Sequence, residues 1–531
     1  MVNLVSDIES TADSRPDAPA IVYDGRTLTY GEFWDRTGRF AAGLAERGVE
    51  PGDRVGVYLP NLPQYVTAFA GTLRAGGIVV PMNPQYKERE ISHLLADSGA
   101  RVVVTLADLV PNVLAVRGET AVEHVVSVGG AAEGATAFEA FLAEDGLPVV
   151  ERDADDVAVQ PYTSGTTGKP KGVLLTHENL GSNARATGAL MPGGFREDDK
   201  MLGVLPLFHI YGMTVTMLAT LFEGAAYYPL PSWDAGQAVS LIEEEDITIM
   251  HGVPAMYNDL INQPEASSFD LSSLRFANSG GSSLPIEVMR RFEELYEVDL
   301  FEGYGLTETS PVTHANRPDE RRPGSIGKPI DGVEARVVDG AFEDVPPVER
   351  GPVDEGEVSG TPRKDGEAVD EHDLNEITGE IVVAGPNVMK GYYGLPEANE
   401  EAFTEEDGTR WFHTGDIGYH DEDGFFYVVD REKHMINTAG YNVYPREIEE
   451  LLFEHPDVAD AAVVGVPDER RGETVKAFVV PVPDAAATEE DLREYCLERL
   501  AEYKHPREVE FVETLPRTTT GKVQKFELRG A

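Results

Sequence analysis

The segment from Thr163 to Gly172 concentrates residue types that bind phosphate. It reads Thr-Ser-Gly-Thr-Thr-Gly-Lys-Pro-Lys-Gly, so glycines, hydroxyl side chains and lysines stand close together in the chain. Glycine lets backbone N–H groups approach phosphate oxygens, hydroxyl groups add hydrogen-bond donors, and lysine adds positive charge. The segment therefore predicts a phosphate-binding loop, and the alternative is a mobile linker.

This loop differs from the Walker A motif of P-loop NTPases. That motif has four residues between its glycines and continues with Gly-Lys-Ser/Thr. Here only two residues separate Gly165 from Gly168, and Pro170 follows Lys169. Proline has no N–H to donate, so it would not open a P-loop helix with a hydroxyl ligand for magnesium. We therefore expect a phosphate loop of another kind.

The chain around the loop alternates between helical and strand patterns. Thr29 and Glu32 form the signature of a capping box, and apolar residues at helical spacing follow them. Short apolar runs, typical of the strands of a largely parallel sheet, cover Val55–Leu59, Gly77–Val80, Arg101–Thr105 and Val122–Val128. The alternation resumes between Lys200 and about Tyr304. From Gly324 to Val429, short strands with Gly and Pro turns predict a barrel-like part or a distorted sheet.

The chain after Asp430 has the pattern of a small α+β unit. Helical runs alternate there with strand-like runs such as Val458–Val466 and Val475–Val482. We therefore predict an α/β protein with a large N-terminal domain over residues 1–430 and a small C-terminal domain over residues 431–531. The stretch Gly340–Glu376 is rich in Glu, Asp, Pro and Gly, which predicts an acidic surface loop.

The charge of the chain limits its partners. The formal net charge is −50 at pH 7, the acidic residues are spread along the whole sequence, and 32 arginines stand against only 12 lysines. Such a surface suits a cytoplasm of high ionic strength, where the Debye length falls to roughly 3 Å at 1 M salt. We expect a halophilic source and no binding to nucleic acid or anionic lipid. A site for a basic partner is the alternative interpretation of the charge.

Cysteine content and hydropathy indicate the compartment. The single cysteine, Cys496, excludes an intramolecular disulfide framework, and its helical spacing from Leu492 and Leu500 predicts a core residue. The N-terminus lacks a basic region followed by an apolar run, and no apolar stretch approaches 18 residues. We expect a cytoplasmic protein without a membrane span.

Further motifs follow the phosphate loop along the chain. They are Pro-Leu-Phe-His at 206–209, Gly-Tyr-Gly-Leu-Thr-Glu-Thr at 303–309, Thr-Gly-Asp at 414–416, Asp-Arg-Glu-Lys at 430–433, Gly-Tyr-Asn-Val-Tyr-Pro-Arg-Glu-Ile-Glu at 440–449 and Leu-Pro-Arg-Thr-Thr-Thr-Gly-Lys at 515–522. In this order, together with Tyr162–Gly172, they resemble the adenylate-forming superfamily of acyl-CoA synthetases, coumarate-CoA ligases, luciferases and adenylation domains. The resemblance covers essentially the whole chain and is closest to fatty-acid-CoA and coumarate-CoA ligases.

The resemblance implies an ATP site with magnesium. Glu308 would be the magnesium ligand, joined by a hydroxyl from Thr166 or, alternatively, Thr167. Tyr304 would lie against adenine, Asp416 would accept both ribose hydroxyls, and Arg431 would contact ribose or phosphate. The implied nucleotide-binding residues are Thr163, Ser164, Gly165, Thr166, Thr167, Gly168, Lys169, Gly280, Gly281, Ser282, Gly303, Tyr304, Gly305, Asp416 and Arg431. By residue type alone, the same positions also fit surface, core or turn residues.

The catalytic residues implied by the resemblance are Lys522, His209, Thr307 and Glu308. Lys522 would bridge the substrate carboxylate and the α-phosphate and offset the charge that develops on phosphorus. His209 would line the carboxylate end of the acyl pocket. By residue type alone, a lysine near the C-terminus is usually a solvated charge, and a lone histidine beside apolar residues is usually a core residue.

The resemblance also implies a mobile C-terminal domain and a thiol acceptor. Lys433 matches the family hinge, about which the domain would turn to present Gly440 and Tyr441 to coenzyme A. Relatives often have Lys-Ser-Gly-Gly where this chain has Asn-Thr-Ala-Gly at 437–440. Loss of that lysine removes a possible contact for coenzyme A.

The expected activity is that of an ATP-dependent acyl-CoA synthetase. It would activate a carboxylic acid, expected to be a medium- or long-chain fatty acid, and transfer the acyl group to coenzyme A. The alternatives are an aryl-acid (coumarate-like) CoA ligase, an enzyme that loads an acyl-carrier protein, and a non-catalytic AMP or acyl sensor. We expect a monomer or a homodimer.

Overall fold

The computed structural model describes residues 3–164, 170–350, 362–364, 367–368, 377–438, 441–468, 470–482, 485–518 and 523–529. Among these residues, no helix is both long and apolar enough to cross a membrane. Mixed, largely parallel sheets with helices make up much of the described chain, antiparallel strands follow, and a smaller C-terminal domain comes last. The predicted α/β fold class is therefore confirmed.

The first part of the chain alternates strands and helices. Its strands are β1 (Pro19–Tyr23), β2 (Arg26–Thr29), β3 (Arg54–Tyr58), β4 (Ile78–Pro81), β5 (Val102–Leu106), β6 (His124–Val128), β7 (Thr136–Ala137), β8 (Val157–Val159), β9 (Tyr162–Ser164) and β10 (Pro170–Thr176). Its helices are α1 (Ser6–Ser14), α2 (Tyr30–Glu46), α3 (Pro63–Arg74), α4 (Glu88–Ser98), α5 (Val110–Val116), α6 (Phe138–Phe141) and α7 (His177–Gly188). Helix α2 begins at the predicted capping box, where Thr29 and Glu32 each accept the other's backbone N–H.

The next part continues the alternation. Its strands are β11 (Lys200–Gly203), β12 (Ala226–Pro229), β13 (Ile249–Gly252), β14 (Phe276–Ser279), β15 (Leu300–Gly305), β16 (Val312–Ala315) and β17 (Lys328–Pro329). Its helices are α8 (Ala219–Glu223), α9 (Ala235–Glu245), α10 (Pro254–Ile261) and α11 (Ile286–Tyr296), and Gly212–Leu218 is a π-helical segment.

The described residues between 334 and 431 form mainly antiparallel strands. They are β18 (Glu334–Val338), β19 (Glu349–Arg350), β20 (Pro362–Lys364), β21 (Glu367–Ala368), β22 (Gly379–Ala384), β23 (Gly391–Tyr392), β24 (Phe403–Glu406), β25 (Thr409–His420) and β26 (Phe426–Arg431), with helix α12 (Pro396–Ala402). Strands β18, β22, β25 and β24 form one sheet, and β26 joins β25. Register shifts interrupt β25, so the distorted-sheet alternative describes this part. The predicted acidic loop lies partly outside the described residues, and its described part contains β19–β21.

Two large sheets position the residues predicted to do chemistry. One has the order β17-β16-β15-β14-β13-β11-β12-β1-β2, and its strands from β15 to β1 pair in parallel. The other has the order β23-β10-β8-β4-β3-β5-β6-β7, with β9 paired to β10. Strands β3–β6 are the predicted apolar runs, and they pair in parallel as expected. The carboxyl ends of parallel strands in open sheets are where ligand sites form.

The C-terminal part has a separate small sheet. Its elements are β27 (Ile436–Thr438), β28 (Tyr441–Val443), α13 (Pro445–Phe453), β29 (Val458–Asp468), β30 (Gly472–Pro481), α14 (Glu489–Arg499), β31 (Glu508–Phe511) and α15 (Lys525–Leu528). The sheet runs β28-β27-β30-β29, with β31 on β30. Cys496 is buried among apolar residues, as predicted. Strand β26 belongs to the preceding sheet and β27 to this one; the domain division at residues 430 and 431 stays a prediction.

Candidate active site

The predicted phosphate loop connects the two strands of a hairpin. Strands β9 and β10 pair antiparallel, with Ser164 opposite Pro170 and Thr163 opposite Lys171. The residues between them, Gly165, Thr166, Thr167, Gly168 and Lys169, lie outside the described residues. The hairpin thus places the start and the end of the loop side by side.

A hydrogen-bond network holds the base of this hairpin. The Tyr162 hydroxyl donates to Asp97 Oδ2 at 2.6 Å and accepts from Gln160 Nε2 at 2.9 Å. Gln160 Oε1 in turn accepts from Arg54 Nε at 2.8 Å. Burial, followed by the Asp97 carboxylate, raises the pKa of Tyr162, so its hydroxyl stays a donor. The network ties the base of the hairpin to helix α4 and strand β3.

Glu308 lies close to the same hairpin. It belongs to the 3₁₀ turn Thr307–Thr309, and its Oε1 accepts from the Tyr392 hydroxyl at 2.9 Å. Its backbone carbonyl accepts from Met389 N–H at 2.7 Å. The ring of Tyr392 also lies 4.9 Å from Lys171 Nζ, the lysine just after the loop. Strand β23, which carries Tyr392, pairs with β10 and so brings Glu308 toward the predicted phosphates.

Asp416 is the polar centre of the described site. Its side chain is 3% exposed; Oδ1 lies 2.9 Å from Arg431 Nε, and Oδ2 accepts from the Tyr304 hydroxyl. The first contact follows from register, because Asp416 and Arg431 stand opposite each other on β25 and β26. Burial and the Asp416 carboxylate raise the pKa of Tyr304, and Asp416 raises the pKa of Arg431. Both partners therefore stay donors to this carboxylate.

The end of β15 can approach Asp416 and Arg431 only because Gly305 lacks a side chain. A Cβ built on Gly305 would lie 1.8 Å from the carbonyl oxygen of Pro311, which is far inside van der Waals contact. The close approach lets the chain turn back into β16 while Tyr304 faces Asp416. The predicted Gly303-Tyr304-Gly305 motif is thus a tight strand end that aims one aromatic ring.

A cavity gathers many of the predicted nucleotide-binding residues. Those on its lining are Gly281, Ser282, Gly303, Tyr304, Gly305, Asp416 and Arg431. The C-terminal part also contributes residues, among them Arg446, Glu449, Arg517, Val523 and Lys525. The cavity therefore lies between the large and the small part of the chain.

The segment that ends in the predicted catalytic lysine borders the same cavity. Arg517 and Val523 form an antiparallel bridge, and both line the cavity. Lys522 itself lies outside the described residues. Lys525, two residues beyond Val523, makes an ion pair of 2.7 Å with Glu449. The segment that carries Lys522 thus begins and ends at the site.

The other predicted residues have different surroundings. His209 is half-buried, its Nδ1 accepts from Tyr211 N–H at 3.3 Å, and it is not among the residues that line the cavity. Gly280 packs beneath the ring of Tyr211. Desolvation, then Arg431, lowers the pKa of Lys433, while Asp416 and Glu308 oppose the shift, so this ammonium lies close to the site.

Two predicted acceptor residues follow Lys433. Tyr441 is described only as a backbone residue of β28 opposite Thr438, and Gly440 lies outside the described residues. Asn437, which replaces the lysine common in relatives, is exposed, and its N–H donates to Glu473 Oε2 at 3.0 Å.

Two cavity residues were missed by the sequence analysis. Glu302 is buried, burial raises the pKa of its carboxyl to about 7, and Arg446 opposes that rise. Arg446 Nη1 donates to Val428 O at 2.8 Å and its backbone N–H to Asp430 Oδ2 at 3.2 Å. Glu302 directly precedes Gly303, and Arg446 stands within the 440–449 motif. Their positions beside or within these motifs were the sequence signal that could have identified both residues.

Comparison with known proteins agrees with this geometry. Residues 8–393 match the model of the AMP-binding enzyme family, and residues 447–522 match that of the AMP-binding enzyme C-terminal domain. The long-chain-fatty-acid–CoA ligase of Bacillus subtilis (strain 168) is 37% identical over 99% of this chain and 94% of its own length. The feruloyl-CoA synthase of an Amycolatopsis species is 38% identical over 97% of this chain and 96% of its own.

Solved structures give the same result. The anthranilate CoA ligase AuaEII in complex with anthranoyl-AMP covers 100% of this chain and 97% of its own, with a TM-score of 0.89 at 29% identity. ATP-bound MatB from Rhodopseudomonas palustris covers 99% of this chain and 98% of its own, with a TM-score of 0.84 at 31% identity. The chain belongs to the AMP-binding enzyme family. It is an adenylate-forming ligase that joins an acid to a thiol, and the resemblance found in its motifs is confirmed.

Proposed function

We propose that this ligase uses ATP and magnesium to activate a medium- or long-chain fatty acid and transfers the acyl group to coenzyme A. One observation carries the proposal: Tyr304, Asp416 and Arg431 share a cavity with Arg517 and Val523. A nucleoside site on the large part of the chain and the borders of the Lys522 segment thus meet in one place. The relatives named above support an acyl or aryl acid as substrate.

The first step joins the acid to AMP. A carboxylate oxygen attacks the α-phosphorus of ATP, the bond to the β-phosphate oxygen breaks, and acyl-AMP and pyrophosphate form. The loop Thr163–Lys169 binds the phosphates, and Lys522 offsets charge on the reacting phosphorus. His209 lines the carboxylate end of the acyl pocket, and Thr307, next to Glu308, is a further catalytic residue.

The nucleoside is held by the described part of the cavity. Asp416 accepts the ribose hydroxyls, and Arg431 holds this carboxylate in place while it also contacts ribose or phosphate. Tyr304 lies against adenine, opposite Gly280, Gly281 and Ser282. Because the Tyr304 hydroxyl is bound to Asp416, the base and ribose contacts form one unit.

The residues around Glu308 fit a magnesium ion. Magnesium in phosphate sites takes one or two carboxylates together with substrate oxygens and water. Glu308 stands beside the loop hairpin with one oxygen bound to the Tyr392 hydroxyl. Glu308 would hold the ion with a hydroxyl of Thr166, and the ion would neutralise phosphate charge.

The second step transfers the acyl group. The coenzyme A thiolate attacks the acyl carbonyl carbon, the bond to the AMP oxygen breaks, and a thioester and AMP form. The small domain turns about Lys433 and brings Gly440 and Tyr441 to the acyl-adenylate.

A pyrophosphate-release assay tests the proposal. The enzyme in molar KCl is given ATP, magnesium and fatty acids of graded length, with and without coenzyme A. We expect acid-dependent pyrophosphate release, multiple turnovers only with coenzyme A, and the highest kcat/KM for a medium or long chain. Release that does not depend on any acid would overturn the proposal.

An aryl acid is the second candidate substrate. The feruloyl-CoA synthase relative acts on such an acid by its name, and the region next to Gly280 contains buried polar side chains as well as apolar ones. Cinnamate and its ring-hydroxylated derivative belong in the same assay. A higher kcat/KM for these acids than for any fatty acid would favour this candidate.

A further inference from the structure

Asp416 lies in an irregular segment of strand β25, here called the bulge, which comprises Thr414, Gly415 and Asp416. Strand β22 pairs with β25 on both sides of the bulge, and its single residue Ile381 stands where β25 has three. Gly415 adopts a φ of 69°, in the left-handed region that favours glycine. Bulges change the direction of a side chain and are frequent next to active sites. The position of the Asp416 carboxylate therefore depends on what holds the bulge in place.

The Glu380 side chain on β22 binds the bulge. Its Oε1 accepts from the Gly415 backbone N–H at 2.9 Å, and its Oε2 lies 2.7 Å from His413 Nδ1. The carboxylate thus contacts β25 at the residue before the bulge and at the middle of the bulge. Its side chain is only 23% exposed, so these contacts replace much of its water. Glu380 has no role in the reaction steps above.

His413 holds this carboxylate from the other side. A carboxylate only accepts hydrogen bonds, so His413 Nδ1 carries the hydrogen and donates to Glu380. On the opposite edge of the imidazole, Nε2 lies 2.8 Å from Thr404 Oγ1 on β24. The ring of Phe342 is tilted against the imidazole, with centroids 5.6 Å apart. Contacts on both edges and on the ring fix His413, so the Glu380 carboxylate stays directed at Gly415.

A second contact acts within the bulge. Thr414 Oγ1 donates to Ile381 O at 2.6 Å and accepts from Asp416 N–H at 3.1 Å. The N–H groups of Gly415 and Asp416 are therefore both bound by side chains, although neither continues the regular strand ladder. Buried backbone groups need such partners. Of these two contacts, only the one from Glu380 ties the bulge to the side chain of another strand.

We propose that Glu380 is a positioning residue for the nucleotide. It fixes the backbone of Gly415, and this backbone sets the direction in which the Asp416 carboxylate meets the ribose. The inference rests on the proposed function, in which Asp416 accepts the ribose hydroxyls. Glu380 is not among the described residues that line the cavity, so it acts through Asp416 and not by touching ATP. Its loss should weaken ATP binding and leave the reaction of bound ATP nearly unchanged.

Glu380→Ala tests the inference. Pyrophosphate release gives kcat and the KM values for ATP and for the acid, and calorimetric titration gives Kd for ATP. We expect KM and Kd for ATP to rise about tenfold, because a charged acceptor of a backbone N–H is lost. The kcat and the KM for the acid should change by less than about twofold, since only ground-state binding of ATP is affected. Unchanged KM and Kd for ATP would overturn the inference.

Glu380→Gln tests whether the contact with the backbone is responsible. The amide keeps an oxygen that can accept from Gly415 N–H, and neutral His413 can accept from the amide nitrogen. We expect this variant to regain most of the affinity for ATP that Glu380→Ala loses. A glutamine variant that binds ATP no better than the alanine variant would contradict positioning through Gly415.

Glu293→Ala is the matched control. Glu293 is also 23% exposed, pairs with Arg321, and accepts from the Leu300 backbone N–H at 2.9 Å. Leu300 begins β15, at the opposite end of the strand from Tyr304. The control should leave KM for ATP unchanged even if it lowers Tm as much as Glu380→Ala does. An equal rise of KM for ATP in both variants would show that lost stability, and not positioning, is the cause.

Asp416→Ala separates failure of the inference from failure of the proposed function. It should raise KM and Kd for ATP at least as much as Glu380→Ala. If Asp416→Ala weakens ATP binding and Glu380→Ala does not, only the inference is wrong. If Asp416→Ala binds ATP like the wild type, the ribose contact is refuted together with the inference. A wild-type enzyme that binds ATP but releases no pyrophosphate with any acid would instead refute the proposed function.

Discussion

At the scale of residues, Asp416 joins the two halves of the proposed nucleoside site. It accepts from Tyr304 on β15 and pairs with Arg431 on β26, while its own side chain is almost fully buried. A buried carboxylate needs such partners, because an unpaired charge away from water is costly. The same arrangement leaves its oxygens fixed where ribose hydroxyls would be bound.

Tyr304→Phe tests this coupling. The ring remains, but the hydroxyl that donates to Asp416 is lost, so the carboxylate is held less firmly. We expect KM for ATP to rise roughly tenfold with kcat little changed, since the lost hydrogen bond involves a charged group. Tyr296→Phe, which removes a hydroxyl bound to Leu260 O elsewhere, is the matched control. An unchanged KM for ATP in Tyr304→Phe would contradict the role.

Glu302 makes stability depend on pH. Burial raises its folded pKa to about 7 from an ordinary value of 4.5, so the folded protein retains a proton that the unfolded chain has lost. The stability that this protonated carboxyl contributes is fully present below pH 4.5, its ordinary pKa. It is lost as the pH rises through the folded pKa of about 7. Glu302→Gln keeps an acceptor for Leu284 N–H and should stabilise the protein by about 2 kcal/mol at pH 8.

Thermal unfolding at two pH values checks this expectation. The gain in Tm for Glu302→Gln should be clear at pH 8 and much smaller at pH 5. Equal shifts at both values would indicate that the side chain acts through packing and not through its proton.

Lys522→Ala separates the two half-reactions. Loss of the ammonium should lower adenylation by an order of magnitude or more, because its charge opposes charge on phosphorus. Thioester formation from supplied acyl-adenylate should stay largely intact. The rates of adenylation and of thioester formation are measured separately in quenched assays. An equal loss of both rates would contradict this role of Lys522.

At the scale of elements, the site depends on strand ends that the sheets bring together. The hairpin β9–β10, the end of β15 and the pair β25–β26 each deliver one motif. The connection between β26 and β27 then leads from one sheet into another, and Lys433 lies within it.

Lys433→Pro tests that connection as a hinge. Proline fixes φ and so restricts the backbone rotation that turning requires. We expect adenylation to remain near wild type while thioester formation from acyl-adenylate falls strongly, the reverse of Lys522→Ala. Lys433→Ala is the control for the side chain alone. Normal thioester formation in Lys433→Pro would contradict the role of Lys433 as a hinge.

Much of the fold and part of the site could be predicted from the sequence. Capping residues and apolar runs depend on local chemistry, so α2 and β3–β6 were accessible. Partnerships across long distances were not, such as Tyr392 with Glu308 or Glu380 with Gly415. Those pairs are set by how strands align in the folded chain, and one sequence contains no direct record of that alignment.

At the scale of the whole molecule, charge sets the conditions in which the fold is stable. A net charge of −50 produces self-repulsion that salt screens, while ion pairs such as Arg275 with Asp199 offset it only locally. We expect Tm to rise steeply from low salt to molar KCl. Tm is measured by calorimetry across that range, with sucrose as a non-ionic control. A Tm that does not change between low salt and molar KCl would contradict the prediction of a halophilic protein.

An acyl-adenylate mechanism sends one oxygen atom of the acid along a defined path through a site built from both parts of the chain. If acyl-AMP forms and a thiol then expels AMP, an oxygen of the acid must leave with AMP. The test supplies a carboxylic acid labelled with ¹⁸O, together with ATP and coenzyme A, and analyses the products by mass spectrometry. We expect AMP that carries one labelled oxygen, together with unlabelled pyrophosphate. Label in inorganic phosphate with release of ADP, or AMP without label, would contradict it.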